Sequence, residues 1–136
     1  MRAALDPRLD ALTERIIGAA FAVSNELGHG FLESVYKKAM VEELRHADLS
    51  VVVELHFPIR YRNANIGHYI ADLVVEELVI VELKAIEGLT KAHYSQVLNY
   101  LKASGLPVGL LFNFGVPRIE MRRVLLGLPW NPSKSV

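Results

Sequence analysis

A chain of 136 residues, 51% hydrophobic and 22% charged, suits one domain with its own core. Fifteen basic residues balance fifteen acidic ones, so no whole-molecule field draws the chain to a polyanion, although a local basic groove is compatible with that balance. The absence of cysteine excludes disulfides, zinc–thiolate sites and thiol nucleophiles, and no apolar run nears the ~20 residues of a membrane span, so a cytoplasmic protein without a membrane partner is expected.

Asp6-Pro7 marks a helix start, with Asp as N-cap and Pro at the first helical position. Leu9, Leu12, Ile16, Ala20, Val23 and Leu27 then recur at helical spacing up to a stop at Gly28. After the His29-Gly30 hinge, a second helix is predicted from Phe31 to about His46, its core face supplied by Leu32, Val35, Ala39 and Leu44. Glu33 lies over Tyr36, Lys37 and Met40 by the three-and-four rule. The helix dipole favours an acid in the first turn by about 0.3–1 kcal/mol, which by itself accounts for a glutamate there.

Val51 to Tyr61 reads as a strand with Val51, Val53, Leu55 and Phe57 on one face, and Pro58 predicts an edge position or a bulge. Residues 62–67 read as a turn. Two β-rich apolar runs follow, Tyr69–Val75 and Leu78–Leu83, into which Asp72, Glu82 and Lys84 intrude. Glu82 and Lys84 are two apart and share the strand face of Leu78 and Ile80. Taken alone they read as an ion pair at an exposed strand end, with Asp72 in a solvated bend. The intervening turn decides more. A two-residue turn at Glu76-Glu77 sets Asp72 opposite Val81 and points Glu82 to the other face; a three-residue turn through Leu78 sets Asp72 opposite Glu82. Glu-Glu suits a two-residue hairpin poorly, so the odd-numbered turn is expected.

Thr90 caps a helix running to about Ser104 and stopping at Gly105, with Tyr94, Val97, Leu98 and Leu101 as its apolar stripe. His93, Gln96, Asn99 and Tyr100 form a polar face that in isolation reads as solvated. Residues 107–114 form a buried strand, parallel to its predecessor after the crossover helix, and 118–126 a final strand or short helix. Residues 1–126 make one domain; 127–136, with two prolines around Trp130, are expected to be a poorly ordered tail. The class is α/β, with a mixed central β-sheet flanked by helices.

A helix carrying an acid, a hairpin carrying Asp72 and then Glu82-Leu83-Lys84, and a helix carrying Gln96 and Tyr100 resemble the PD-(D/E)xK nuclease superfamily. More narrowly, Gly30-Phe-Leu-Glu33-Ser-Val-Tyr36 is similar to the motif that names the GxxExxY proteins. The likeness covers roughly residues 10–125, and Ala71 stands where a proline would precede the aspartate. It implies a restriction-endonuclease-like core and metal-dependent phosphodiester hydrolysis of nucleic acid, DNA in the first place. Two carboxylates brought together repel by roughly 4 kcal/mol at about 4 Å and an effective dielectric near 20. A divalent cation relieves this, and carboxylate and water ligands suit Mg²⁺ or Mn²⁺. By resemblance, Asp72, Glu82, Glu33 and the Leu83 carbonyl hold the metal, Lys84 steadies water and developing charge, and Gln96 positions water or phosphate. Gly30, Tyr36 and Tyr100 support them. Positive charge from Arg60, Arg62, Lys91 and Lys102, or from the partner in a homodimer, is expected beside the acids. Two alternatives stand: a catalytically inactive module of the same fold for nucleic-acid binding or protein assembly, and a hydrolase of a small phosphorylated molecule, which needs a closed pocket.

Overall fold

The structure, a computed structural model, describes residues 6–132. Helices α1 (Pro7–Leu27) and α2 (Glu33–His46) precede strands β1 (Val51–Tyr61), β2 (Ala64–Val75) and β3 (Val79–Lys84). Helix α3 (Lys91–Ser104) then carries the chain to β4 (Val108–Asn113) and β5 (Glu120–Val124). The strands lie in sequence order in a single mixed sheet, antiparallel except for β3 and β4, which α3 connects in parallel. The sheet separates two cores. One, under α1 and α2, takes Leu73, Val75, Val81, Leu83 and Phe112; the other, under α3, takes Tyr69, Ala71, Ile80, Val97 and Leu111. Arg123 of β5, buried, fastens α1 to the sheet through Asp10 and Glu14 at 2.9 and 3.3 Å.

Helix α2 starts at Glu33 rather than at Phe31, and its buried stripe is Tyr36, Met40, Val41 and Leu44, with Leu32 75% exposed. Gly30 at φ +114° and an extended Leu32 keep the preceding residues out of the helix. Tyr36 fixes that loop from below: its hydroxyl donates to the Gly28 carbonyl at 2.6 Å and accepts the Phe31 N–H at 3.3 Å. The Tyr36 ring stacks on Phe114 at 4.7 Å. The spacing of Gly30, Glu33 and Tyr36 is thus mechanical. The glycine turns the chain, the tyrosine three residues past the glutamate is buried, and Glu33 is left at the first helical position.

The β1–β2 hairpin turns on Arg62 and Asn63 alone, at φ 50° and 64°, so the six-residue turn expected at 62–67 shortens and β2 begins at Ala64. Between β2 and β3, Leu78 N–H bonds the Val75 carbonyl and the ladder resumes with Val75 opposite Val79, the odd-numbered arrangement. Glu76 and Glu77 nevertheless take φ 53° and 57°. Ser50 offsets that strain, accepting the Glu76 N–H on its carbonyl at 2.9 Å and donating its own N–H to the Glu76 carboxylate at 2.6 Å.

Strand β1 lies at the sheet edge, with a register shift between Ile59 and Arg60 beside Pro58, as proline predicts. Its expected one-sided alternation fails. Val51 joins the α1/α2 core while Leu55 and Phe57 pack toward α3; on β2, Leu73 and Val75 face one way and Tyr69 and Ala71 the other. Residues an even number apart share a face on a regular strand. Both strands therefore turn over at the level of Glu54 and Asp72, and Glu54 takes φ 54° there.

Residues 118–126 resolve to a strand, antiparallel to β4. Residues 127–132, set apart in the sequence as a tail, pack on the domain. Trp130 lies 5.6 Å from the Tyr94 ring and under the Arg122 guanidinium, and Tyr94 donates to the Leu128 carbonyl at 2.6 Å. The rest of that tail falls outside the described residues. No helix among the described residues is long and apolar enough to cross a membrane.

Candidate functional site

The β2–β3 ladder ends at the pair Leu73–Val81. One residue further, side chains replace the backbone ladder. Asp72 N–H donates to Glu82 Oε2 at 2.7 Å, and Leu83 N–H donates to Asp72 Oδ2 at 2.9 Å. Each acid is thus held by the opposite strand's backbone, in the gap opened where β2 turns over. Glu82 is only 5% exposed, which removes the reading of an exposed Glu82–Lys84 ion pair. Burial, and then the Asp72 charge, push its carboxyl up to about 8, against the Asp72 N–H bond, Lys84 and Lys37.

Helix α2 delivers two further groups. Glu33 is raised above the ordinary carboxylate range by burial and by Asp72, while Lys84 and Lys37 pull it back. Lys37, one turn on, places Nζ 3.2 Å from Asp72 Oδ1 with both side chains about one-fifth exposed. Lys37 stands four residues after Glu33, and the reading of that spacing as a helical i,i+4 pair hides its reach to β2. Among the described residues, no group of three or more His, Cys, Asp or Glu side chains gathers as a metal ion needs, so Glu33 does not close with Asp72 and Glu82 on one point.

From the other side α3 presents Gln96 and Tyr100, one helical turn apart and lining the same groove. Tyr100 stacks on Tyr69 at 3.7 Å, and the Tyr69 hydroxyl donates to the Tyr100 carbonyl at 3.0 Å. Burial and the charge of Glu82 raise both hydroxyls, Tyr69 to about 12. His93 does not join them: its Nδ1 accepts the Thr90 N–H at 2.9 Å and caps the helix. The four expected cations part company. Arg60 and Lys102 line a groove of about 450 Å³ with Gln96, Asn99 and Tyr100; Arg62 lies at the hairpin tip over Tyr61, and Lys91 borders a separate cavity with Trp130.

A clamp unsuspected from the sequence holds the loop between Lys84 and α3. Asn113, fully buried, accepts from Ile86 and Gly115 N–H at 3.0 Å each and donates to the Ile86 carbonyl at 3.1 Å and Glu120 Oε1 at 2.9 Å. Glu120 Oε1 also accepts the Leu89 N–H at 3.0 Å. A Cβ on Gly115 would stand 2.3 Å from the Ile86 backbone. The signal available was a lone Asn in the apolar run Leu110–Phe114.

The donors fit a hard divalent cation. Asp72 and Glu82 bring carboxylate oxygens to one level of the sheet, and a cation there would favour the ionised form of Glu82, which burial first and the Asp72 charge second disfavour.

The family model of the PD-(D/E)XK nuclease superfamily matches residues 10–124. Among solved structures, the crystal structure of SSO0001 is similar with a TM-score of 0.53 at 18% identity, covering 93% of this chain and 62% of that one. That likeness speaks for the fold alone, and the chain spans less than two thirds of that relative. No curated protein gives a match.

Proposed function

Because the chain belongs to the PD-(D/E)XK nuclease superfamily, we propose that it is a metal-dependent phosphodiesterase that cleaves nucleic acid, DNA in the first place. The narrower likeness to the GxxExxY proteins, through Gly30, Glu33 and Tyr36, belongs to this reading. The observation that carries it is the crossed pair of bonds from the Asp72 N–H to the Glu82 carboxylate and from the Leu83 N–H to the Asp72 carboxylate, with the Glu82 carboxyl pushed up to about 8. Mere stability gives no reason to bury an acid beside a second acid at the point where two strands part.

Asp72 and Glu82 would hold Mg²⁺ or Mn²⁺, which supplies positive charge to a phosphate oxygen and acidifies water when bound. Leu83 sends its N–H toward Asp72, and a strand residue's N–H and C=O point to the same side, so its carbonyl is a fitting third donor. Lys84 holds the attacking water and steadies the charge that develops on phosphorus oxygens. Glu33, held above the usual carboxylate range, accepts a proton from that water more readily than an ordinary surface glutamate. Gln96 orients the phosphate, and Tyr36 and Gly30 keep Glu33 in place.

A second reading, a nuclease-fold module without catalysis, draws on the Lys37–Asp72 pair and on the three acids failing to converge. Labelled single- and double-stranded DNA and RNA incubated with Mn²⁺, Mg²⁺ or EDTA separates the two. Metal-dependent cleavage that Glu82→Gln abolishes supports the enzyme; binding without cleavage under every metal supports the module.

A further inference from the structure

The groove between the β1–β2 hairpin and α3 has a composition that the carboxylate site does not require. Its roughly 450 Å³ are bordered by Arg60 and Lys102, with Gln96, Asn99, Tyr69 and Tyr100 and no acidic side chain. The comparable groove on the α2 side, about 400 Å³, offsets Lys37 and Lys38 with Glu42 and Glu54. In a chain of zero net charge, uncompensated positive charge is therefore concentrated on one side of the acids. Neither Arg60 nor Lys102 enters an ion pair among the described residues.

The floor of this groove ends an aromatic column. Phe57 stacks on Tyr69 at 5.1 Å and 16°, and Tyr69 on Tyr100 at 3.7 Å and 1°. Tyr69 is covered on both sides and 6% exposed, whereas Tyr100, the last ring, is half-buried and lines the groove. Tyr69, the middle ring, stands three residues before Asp72 on β2, which ties the column to the strand that carries the acid.

We propose that this groove binds one unpaired nucleotide of a nucleic-acid strand, its phosphate held by Arg60 and Lys102 and its base stacked on Tyr100. The inference rests on the nuclease reading for placing the adjacent phosphate at Asp72 and Glu82. A cavity of this size lies near the lower end of the ~300–1,000 Å³ of small-ligand sites, room for a nucleotide but not for a base pair. Two point cations with an aromatic platform are the usual means of gripping a single strand without reading its sequence. Gln96 and Asn99 add amide donors for the sugar–phosphate backbone.

The test is fluorescence anisotropy in EDTA with a labelled oligonucleotide of about 12 nucleotides, within the ~4–16-nucleotide footprints of single-strand sites. The arms are single-stranded DNA, single-stranded RNA and duplex DNA, against wild type, Arg60→Gln/Lys102→Gln, Tyr100→Leu and the control Arg62→Gln. Wild type is expected to prefer a single strand. The double variant lowers the slope of log K against log salt by about 0.7, the value for one single-strand phosphate contact. Tyr100→Leu weakens binding roughly 5- to 150-fold, the range for one stacked base. Arg62→Gln binds as wild type. No single-strand binding by wild type, preference for duplex, or unchanged binding by the double variant each overturns the proposal. Parallel Mn²⁺ cleavage keeps the two readings apart. Groove-dependent binding without cleavage leaves the groove and removes the nuclease; cleavage with groove-independent binding does the reverse.

Discussion

Lys37 crosses from α2 to place its ammonium 3.2 Å from Asp72 Oδ1, on the acid that also accepts the Leu83 N–H. The aspartate is thereby served by a cation from one layer of the fold and a backbone donor from another. A divalent ion bound to Asp72 would lie within a few ångströms of that ammonium and be repelled by it.

Lys37→Met should therefore tighten Mn²⁺ binding by about tenfold or more, since even at an effective dielectric near 20 such a repulsion exceeds ~1.4 kcal/mol. Calorimetric titration reads it directly. Weaker binding by the variant would mean that Lys37 organises the site rather than competing within it.

Lys84→Ala should abolish cleavage, by on the order of 10²-fold or more, while leaving Mn²⁺ affinity unchanged or slightly higher. Cleavage at the wild-type rate would remove Lys84 from the chemistry. Asp72→Ala and Glu82→Ala should instead lose the metal itself.

Stability in EDTA should fall with rising pH because of Glu82. Its carboxyl titrates near 4.5 when unfolded and is pushed up to about 8 in the folded chain. Between those values the folded state binds the extra proton, so unfolding becomes easier as pH rises and levels off above about 8. Glu82→Gln keeps an acceptor for the Asp72 N–H and removes the charge. Urea unfolding should find it more stable than wild type by several kcal/mol (on the order of 4) near pH 9, with little difference near pH 4. Equal stabilities at both pH values would contradict the buried carboxylate.

Asn113→Ala should cost about 2–4 kcal/mol, because it strips partners from the Ile86 and Gly115 N–H groups and from Glu120 in a buried setting. Glu120→Gln keeps an acceptor for Leu89 and Asn113 and should cost less than about 1 kcal/mol. Denaturant midpoints for the pair check the order. A reversed order would place the strength of the clamp in the Glu120 charge.

Counting residues through the turn was enough to set Asp72 level with Glu82, because register in a hairpin follows from the number of residues left out of the ladder. What counting does not reveal is why the acids have room. That room comes from the reversal of faces at Glu54 and Asp72, a departure from the period of two on which strand reading depends. The start of α2 was misplaced for a similar reason. Phe31 and Leu32 fit helical spacing, and only the hydroxyl of Tyr36 holding the loop, a tertiary bond, excludes them. Scattering of the four expected cations likewise reflects hairpin length: a two-residue turn carries Arg62 to the tip, away from Arg60.

The irregularities of β1 also bear on self-association. Val52, Val53, Ile59 and Tyr61 are all exposed on a strand eleven residues long with no neighbour on its outer side, a template for aggregation. Pro58 denies an incoming strand one donor, the shift at Ile59/Arg60 breaks its repeat, and the left-handed Glu54 bends the line it would follow. No straight run longer than Leu55–Phe57 remains on the central part of that edge. The kink that makes space for two carboxylates inside the fold thus also keeps the outer strand from seeding fibrils, and straightening it with Glu54→Val and Pro58→Val would make this a sticky protein.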